Sequence, residues 1–127
     1  MTREEKQLLL NDLCARLPYG VIVKENDGVN ENDNKLLDID MFDGCINYDY
    51  IIEDIKPYLR PMSSMTEEEK AFLDTTKEIE YTQTGLTGKG VLTLESYDYL
   101  NSIHVDYREL IPMGLALEAK EGMYKTE

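Results

Sequence analysis

Two β-type runs, Leu36–Phe42 and Cys45–Ile52, abut the dipeptide Asp43-Gly44. That dipeptide constrains the fold more than any other feature of the chain. A two-residue hairpin loop of type I′ needs positive φ at both positions, and Asp-Gly adopts it readily. Counting back from the turn gives the register. Phe42 faces Cys45, Met41 faces Ile46, Asp40 faces Asn47, Ile39 faces Tyr48, Asp38 faces Asp49 and Leu37 faces Tyr50. Leu37, Ile39, Met41, Ile46, Tyr48 and Tyr50 then share one face, which the period of two turns toward a core. Asp38, Asp40, Asn47 and Asp49 share the other. The expectation is a half-buried ribbon with a wet acidic face, and Asp38, Asp40 and Asp49 are the candidate interaction residues.

The elements around this ribbon are expected to form a single α+β domain over residues 1–127. Thr2-Arg3-Glu4-Glu5 is a capping box, Thr followed three positions later by Glu. It predicts a helix over Arg3–Arg16 with Leu9, Leu10, Leu13, Cys14 and Leu17 as its buried stripe. Pro18 ends that helix by barring α geometry at Leu17. Tyr19–Lys24 reads as a strand with Val21 and Val23 on one face. Glu25–Asn34 is Asn, Asp and Gly chemistry and reads as loop. Three strands beside a helix make the smallest stable sheet. The expected sheet is small and antiparallel, and short strands with tight turns would suit an SH3-like half-barrel.

The second half is expected to hold two or three short helices. Glu53–Ser64, with Pro57 and Pro61, reads as an extended connector. Thr66-Glu67-Glu68-Glu69 is a second capping box and predicts a helix to about Thr76, with Ala71, Phe72 and Leu73 buried in part. The Thr- and Gly-rich stretch Tyr81–Thr93 reads as a mobile loop or a loose second hairpin. Leu94, Tyr97, Leu100 and Ile103 fall at helical spacing. Asp106 caps a further one or two turns stopped by Gly114, and Leu115-Ala116-Leu117 adds a short strand.

Charge bounds the partners. The chain carries 26 acids against 13 Lys and Arg, a net charge of −13. Residues 25–56 hold ten acids and two lysines, a local net of −8. Such a surface repels DNA, RNA and anionic lipid, whose binding depends on Lys and Arg. Its natural counter-partners are cationic proteins and divalent metals. No apolar stretch approaches the roughly 20 residues of a membrane span. Met1-Thr2-Arg3-Glu4-Glu5 lacks the apolar run of a secretory signal. Cys14 and Cys45 stand in no metal or redox spacing and read as two reduced thiols. These features together point to the cytoplasm.

Motifs with chemistry are sparse. Asp38-Ile39-Asp40-Met41-Phe42-Asp43-Gly44 has the outline of an EF-hand loop, but Phe42 fills a ligand position. A flat ribbon also offers fewer oxygens than the six to eight that Ca²⁺ takes. His104 is the only histidine. Asp106 lies two residues away, and Ser96 and Ser102 lack the glycines of a nucleophile elbow. His104 reads as a cationic cap at the C-terminus of the 97–103 helix, where the dipole favours positive charge. Gly85-Leu86-Thr87-Gly88-Lys89-Gly90 lacks the spacing and the final Ser or Thr of a phosphate loop. Tyr48 and Tyr50 read as core residues because their register places them with Ile39 and Leu37. Nothing here calls for a metal or a cofactor.

Three stretches form a set: Glu4–Val21 (EEKQLLLNDLCARLPYGV), Lys56–Lys70 (KPYLRPMSSMTEEEK) and Asp98–Ala119 (DYLNSIHVDYRELIPMGLALEA). Covering a little under half the chain, they resemble a family of small, uncharacterised acidic proteins from gut bacteria. Its members are often found among prophage-like or mobile-element genes. The chain departs from that family at Ile103, where relatives carry a second histidine, and at Pro112, where they carry no proline. The resemblance implies a bacterial cytoplasm and a phage-linked context, and no catalytic residue or cofactor. The functional expectation is a non-enzymatic accessory or interaction domain whose partner is another, cationic protein. The alternatives are an acidic DNA mimic that blocks a basic nucleic-acid-binding protein, and a small enzyme using His104 with a carboxylate.

Overall fold

The computed structural model describes residues 1–82 and 85–124, and the side chains of all of these except 79–89. Helix α1 spans Arg3–Arg16, as the capping box predicts. Both arms of the box form: Thr2 Oγ1 accepts from the Glu5 amide at 3.0 Å, and Glu5 Oε1 accepts from the Thr2 amide at 2.8 Å. The Thr2 amide, and next the Thr2 hydroxyl, favour the charged Glu5 carboxylate and hold its pKa below the ordinary value. The buried face of α1 differs from the predicted stripe. Leu9 and Leu13 are buried, but so are Asp12 and Arg16, while Cys14 is exposed.

A 3-10 turn at Leu17–Tyr19 leads into β1, Ile22–Asn26. The segment Glu25–Asn34, expected as loop, instead builds the main hairpin. β2 runs Glu31–Lys35 and pairs antiparallel with β1 from Ile22↔Lys35 to Asn26↔Glu31. Its turn is stapled by Asp27, whose Oδ1 accepts from the amides of Val29 and Asn30 at 2.8 and 2.7 Å. A local side-chain turn therefore supports a strand that lacks any apolar alternation.

The expected connector Glu53–Ser64 is likewise corrected. It contains β5, Ile55–Leu59, an inner strand of the sheet. Strand order is β2-β1-β5-β8, with β8 at Leu117–Glu118. β1 pairs with residues 55–57, and β8 pairs with 58–59. Pro57 thus ends the stretch facing β1, and the second neighbour begins one residue later, which suits a residue lacking an amide proton. Because β8 runs parallel to β5, the sheet is mixed rather than purely antiparallel.

Helix α2, Glu67–Thr76, follows its capping box as predicted, with Leu73 buried and Phe72 exposed. β6 (Glu78–Thr82) and β7 (Gly85–Val91) pair as a hairpin, the second of the two readings for that stretch. Its Gln83 and Thr84 lie outside the described residues. Helix α3, Leu94–Ser102, starts at Thr93, which forms a reciprocal cap with Ser96. Thr93 Oγ1 also donates to the Thr76 carbonyl at 2.8 Å, which ties the start of α3 to the end of α2. Residues 107–114 form turns around Asp106, whose carboxylate accepts from the amides of Leu110 and Ile111 at 2.8 and 2.9 Å.

The main core joins Leu9 and Leu13 of α1 to Val21, Val23, Leu36, Ile46, Ile55, Leu59, Leu110 and Leu115. A smaller cluster of Met65, Leu73, Leu100 and Val105 lies between α2 and α3. No helix among the described residues is long and apolar enough to cross a membrane.

Candidate functional site

The 36–52 segment departs most from its predicted form, and that departure creates the candidate site. β3 is Ile39–Asp40 and β4 is Cys45–Ile46, paired Ile39↔Ile46 and Asp40↔Cys45. The connecting loop is therefore Met41-Phe42-Asp43-Gly44, four residues rather than two. Gly44 has φ +70, whereas Asp43 is not among the residues with positive φ, so a type I′ turn does not form. Asp40 explains the wider loop. Its Oδ1 accepts from the amides of Phe42 and Asp43 at 2.9 and 3.2 Å, and its carbonyl accepts from Gly44 at 2.8 Å. This ribbon is a separate two-stranded piece and does not extend the main sheet, so it adds no strand to a half-barrel.

After Ile46 the predicted strand breaks. Asn47 and Tyr48 both have positive φ, 50° and 74°, and the chain turns back so that Ile46 and Tyr50 exchange amide–carbonyl bonds at 2.6 and 3.1 Å. Consecutive non-glycine residues in this region are strained by roughly 1–3 kcal/mol each. The Asn47 side chain holds them there. Its Oδ1 accepts from the amides of Leu37 and Asp38 at 2.6 and 3.3 Å. Its Nδ2 donates to Glu25 Oε2 at 2.9 Å and to the Lys35 carbonyl at 3.1 Å. Asn47, expected on the wet face, is buried at the centre of this network.

The break overturns the predicted parity. Leu37, Met41 and Tyr48, expected inside, are exposed, and Ile51 joins them. Tyr48 is 70% exposed and Phe42 fully so at 102%. Tyr50 is half-buried against the core, and Ile39 and Ile46 remain the inward pair. The residues 36–52 carry four carboxylates and no Lys or Arg.

The three candidate carboxylates are not gathered on one face. Asp38 is half-buried, with its carbonyl accepting from the Asn47 amide at 2.8 Å. Asp40 caps its own loop and lines an apolar groove of about 240 Å³ with Arg3, Leu10, Met41, Ile46 and Ile52. Asp49 is exposed and stands on a different cavity, a polar cup of about 430 Å³ between the ribbon and the main sheet. Glu25, Asn32, Asn34, Asn47 and Tyr50 also line that cup. The expected Asp38–Asp49 confrontation does not form, since Asn47 rather than Asp49 bonds to Asp38.

His104 is corrected too. It follows α3 with φ 61, and its ring is buried and stacked on Tyr124 at 4.0 Å between centroids. Burial, with Arg16 and Arg60 nearby, lowers its pKa to about 4. It is a neutral core residue at pH 7 rather than a cationic cap, and its Nδ1 has no hydrogen-bond partner among the described residues. No carboxylate bonds to it there, so the pair that general acid–base chemistry needs is not assembled. A further cavity, of about 460 Å³, lies by Arg60, Ser64, Lys120 and Tyr124. Arg60 is already engaged by both oxygens of Glu69 at 2.7 Å, which hold the Glu69 pKa at about 2.

Sequence reasoning missed the roles of Glu25, Asn34 and Asn47; Phe42 falls on the wet side in the expected alternation, and its exposure agrees with that. One signal for the break was present: Asn47-Tyr48-Asp49 contains two of the residues that best tolerate left-handed backbone and side-chain turns. No protein family, curated protein or solved structure matches this chain.

Proposed function

We propose that the chain is a non-enzymatic interaction module whose 36–52 ribbon docks on a cationic face of another protein. The exposure of Phe42, on a loop held by Asp40, and of Tyr48, beside the anchored Asn47, carries this reading. An apolar anchor ringed by polar groups is how interfaces concentrate their energy, and a fixed loop loses less entropy on binding. Asp38, Asp40, Asp43 and Asp49 set the sign of the partner, because the 36–52 segment itself carries no Lys or Arg. The resemblance of the three stretches noted above adds a bacterial, phage-linked setting.

The DNA-mimic alternative asks for free carboxylates spaced like phosphates. Many of the local acids are occupied instead. Glu31 pairs with Lys24, Asp33 with Lys120, Glu53 with Lys6, and Asp27 and Asp40 with backbone amides. That favours a compact anchor over an extended polyanion.

The test compares the intact protein with a Phe42→Ala/Tyr48→Ala variant as bait in extracts of the native host. A partner that binds the intact protein, weakens with added salt and is lost from the variant supports the reading. Equal recovery on both baits, or a partner whose binding ignores salt, overturns it.

A further inference from the structure

The cup between sheet and ribbon holds a buried negative charge with no positive neighbour bonded to it. Glu25 continues the core face of β1 beyond Val21 and Val23 and is 3% exposed. Its two oxygens accept from Asn34 Nδ2 and Asn47 Nδ2, both neutral amides. Among the described residues no Lys, Arg or His forms an ion pair with it. Each oxygen has taken one hydrogen bond of the two or so that it can accept. Lys35 also lines the cavity, but its ammonium end packs over Gly20, with Nζ 3.7 Å from where a Cβ on that glycine would lie. Asp49 stands exposed on the same cavity, and the half-buried Tyr50 lines it with a hydroxyl near Asn32 Nδ2 at 3.4 Å.

We infer that this cup receives a guanidinium, that of an arginine side chain on the docking partner. The inference rests on the docking role proposed for the ribbon and names what the partner brings to it. A buried carboxylate satisfied only by amides attracts a cation strongly, because the surroundings screen it less than water does. A metal ion fits worse. Asn34 and Asn47 turn their amide nitrogens to Glu25, and Asn47 Oδ1 is taken by two backbone amides. That leaves mainly the carboxylates of Glu25 and Asp49, fewer oxygens than Ca²⁺ requires. Among the described residues no group of three or more His, Cys, Asp or Glu could hold a metal. A guanidinium is flat, carries five donors for two carboxylates, and stacks on an aromatic wall such as Tyr50. A volume of about 430 Å³ also leaves room for its methylene stem.

The test titrates N-acetyl-arginine amide into the full chain while the side-chain amide NMR signals of Asn34 and Asn47 are followed. N-acetyl-citrulline amide, of the same shape without the charge, is the control. Arginine amide should shift both signals saturably, and the citrulline compound should bind about tenfold more weakly, the scale of a charge-assisted hydrogen bond. Asp49→Asn, at an exposed site, should weaken arginine binding about three- to tenfold at unchanged Tm, even where Glu25→Gln fails to fold. Equal binding of the two amides, shifts confined to other residues, or an Asp49→Asn protein that binds as the parent does would overturn the inference. Phe42→Ala should leave arginine amide binding intact. If arginine amide fails while partner capture still depends on Phe42, the cup is a structural carboxylate and the docking role stands. If arginine amide binds while capture ignores Phe42, the docking role falls and the guanidinium site stands alone.

Discussion

Arg16 and Phe42 occupy the places that hydropathy would assign to each other. The arginine is fully buried and the phenylalanine fully exposed. Arg16 lies in a closed electrostatic cluster. Its Nε donates to Asp12 Oδ2 at 2.9 Å, and its Nη2 donates to the Val105 carbonyl at 2.7 Å. Arg108 Nε approaches Asp12 Oδ1 at 3.2 Å, an ion-pair distance without hydrogen-bond alignment. The Tyr107 ring lies against both guanidinium groups, at 5.3 and 5.1 Å. Phe42, by contrast, sits on a loop that Asp40 holds through backbone amides, with no part played by the phenyl ring. One region spends its charges inside the fold; the other leaves apolar surface unspent. Stability should therefore be concentrated around α1 and α3, and binding around the ribbon.

The sharpest way to break this contrast is Asp12→Ala. Removing one partner of a buried pair leaves Arg16 uncompensated, which costs roughly 3–5 kcal/mol. Urea denaturation should show that loss. The double variant Asp12→Leu/Arg16→Met, which removes both charges, should recover most of it. A loss under about 1 kcal/mol for Asp12→Ala would mean that Arg16 reaches water, and the closed half of the comparison would fail.

Asn47→Ala comes next, at about 2–4 kcal/mol, because it removes four side-chain hydrogen bonds while leaving a left-handed backbone position to a residue that resists it. Asn47→Gly should lose less, since glycine accepts the positive φ. Equal losses for the two would show that the side-chain bonds, and not the backbone, set the energy of the ribbon.

What was legible in the sequence divides along similar lines. α1 and α2 are written in four-residue capping boxes, and a contact between neighbours in sequence can be read locally. β5 was hidden because Pro57 suggests a connector, and only the stagger of β1 and β8 makes it acceptable in an inner strand. β2 was hidden because its five residues are all exposed and give no alternation to detect. The ribbon's turn region was legible, but its register depended on whether Asp40 capped the loop. The cup was out of reach altogether: Glu25 and Asn47 are 22 positions apart and meet only after the sheet has formed. Asp12 and Arg16 show their i, i+4 pairing in sequence, yet the burial of that pair comes from Val105 and Tyr107, most of the chain away.

Acid sharpens the comparison by a smaller amount, on the order of 2 kcal/mol. The His104 pKa falls from 6.5 to about 4 on folding, so the unfolded chain binds the proton first. Its contribution is complete above pH 6.5 and drains away as pH drops through 4. Glu69, lowered from 4.5 to about 2 by Arg60, contributes fully above pH 4.5 and loses its share as pH falls toward 2. Between pH 6.5 and 4.5 His104 should thus dominate the slope. His104→Asn, which tolerates the same positive φ, should flatten stability in that window and leave the steeper loss below it. An unchanged slope would show that the ring by Tyr124 is already open to protons.

The smallest expected effect is the most discriminating. Phe42→Ala should alter unfolding free energy by no more than about 0.5 kcal/mol, the range for a surface position free of special contacts. Truncating a phenylalanine that packs inside a protein costs about 3–5 kcal/mol. A loss of that size would mean that Phe42 closes onto the neighbouring groove with Met41 and Leu10 in solution, and the ribbon would then belong to the core it now stands outside. A null result on stability, joined to lost partner capture by the Phe42→Ala/Tyr48→Ala protein, separates holding the fold from using it. Arg16 serves the first, and Phe42 the second.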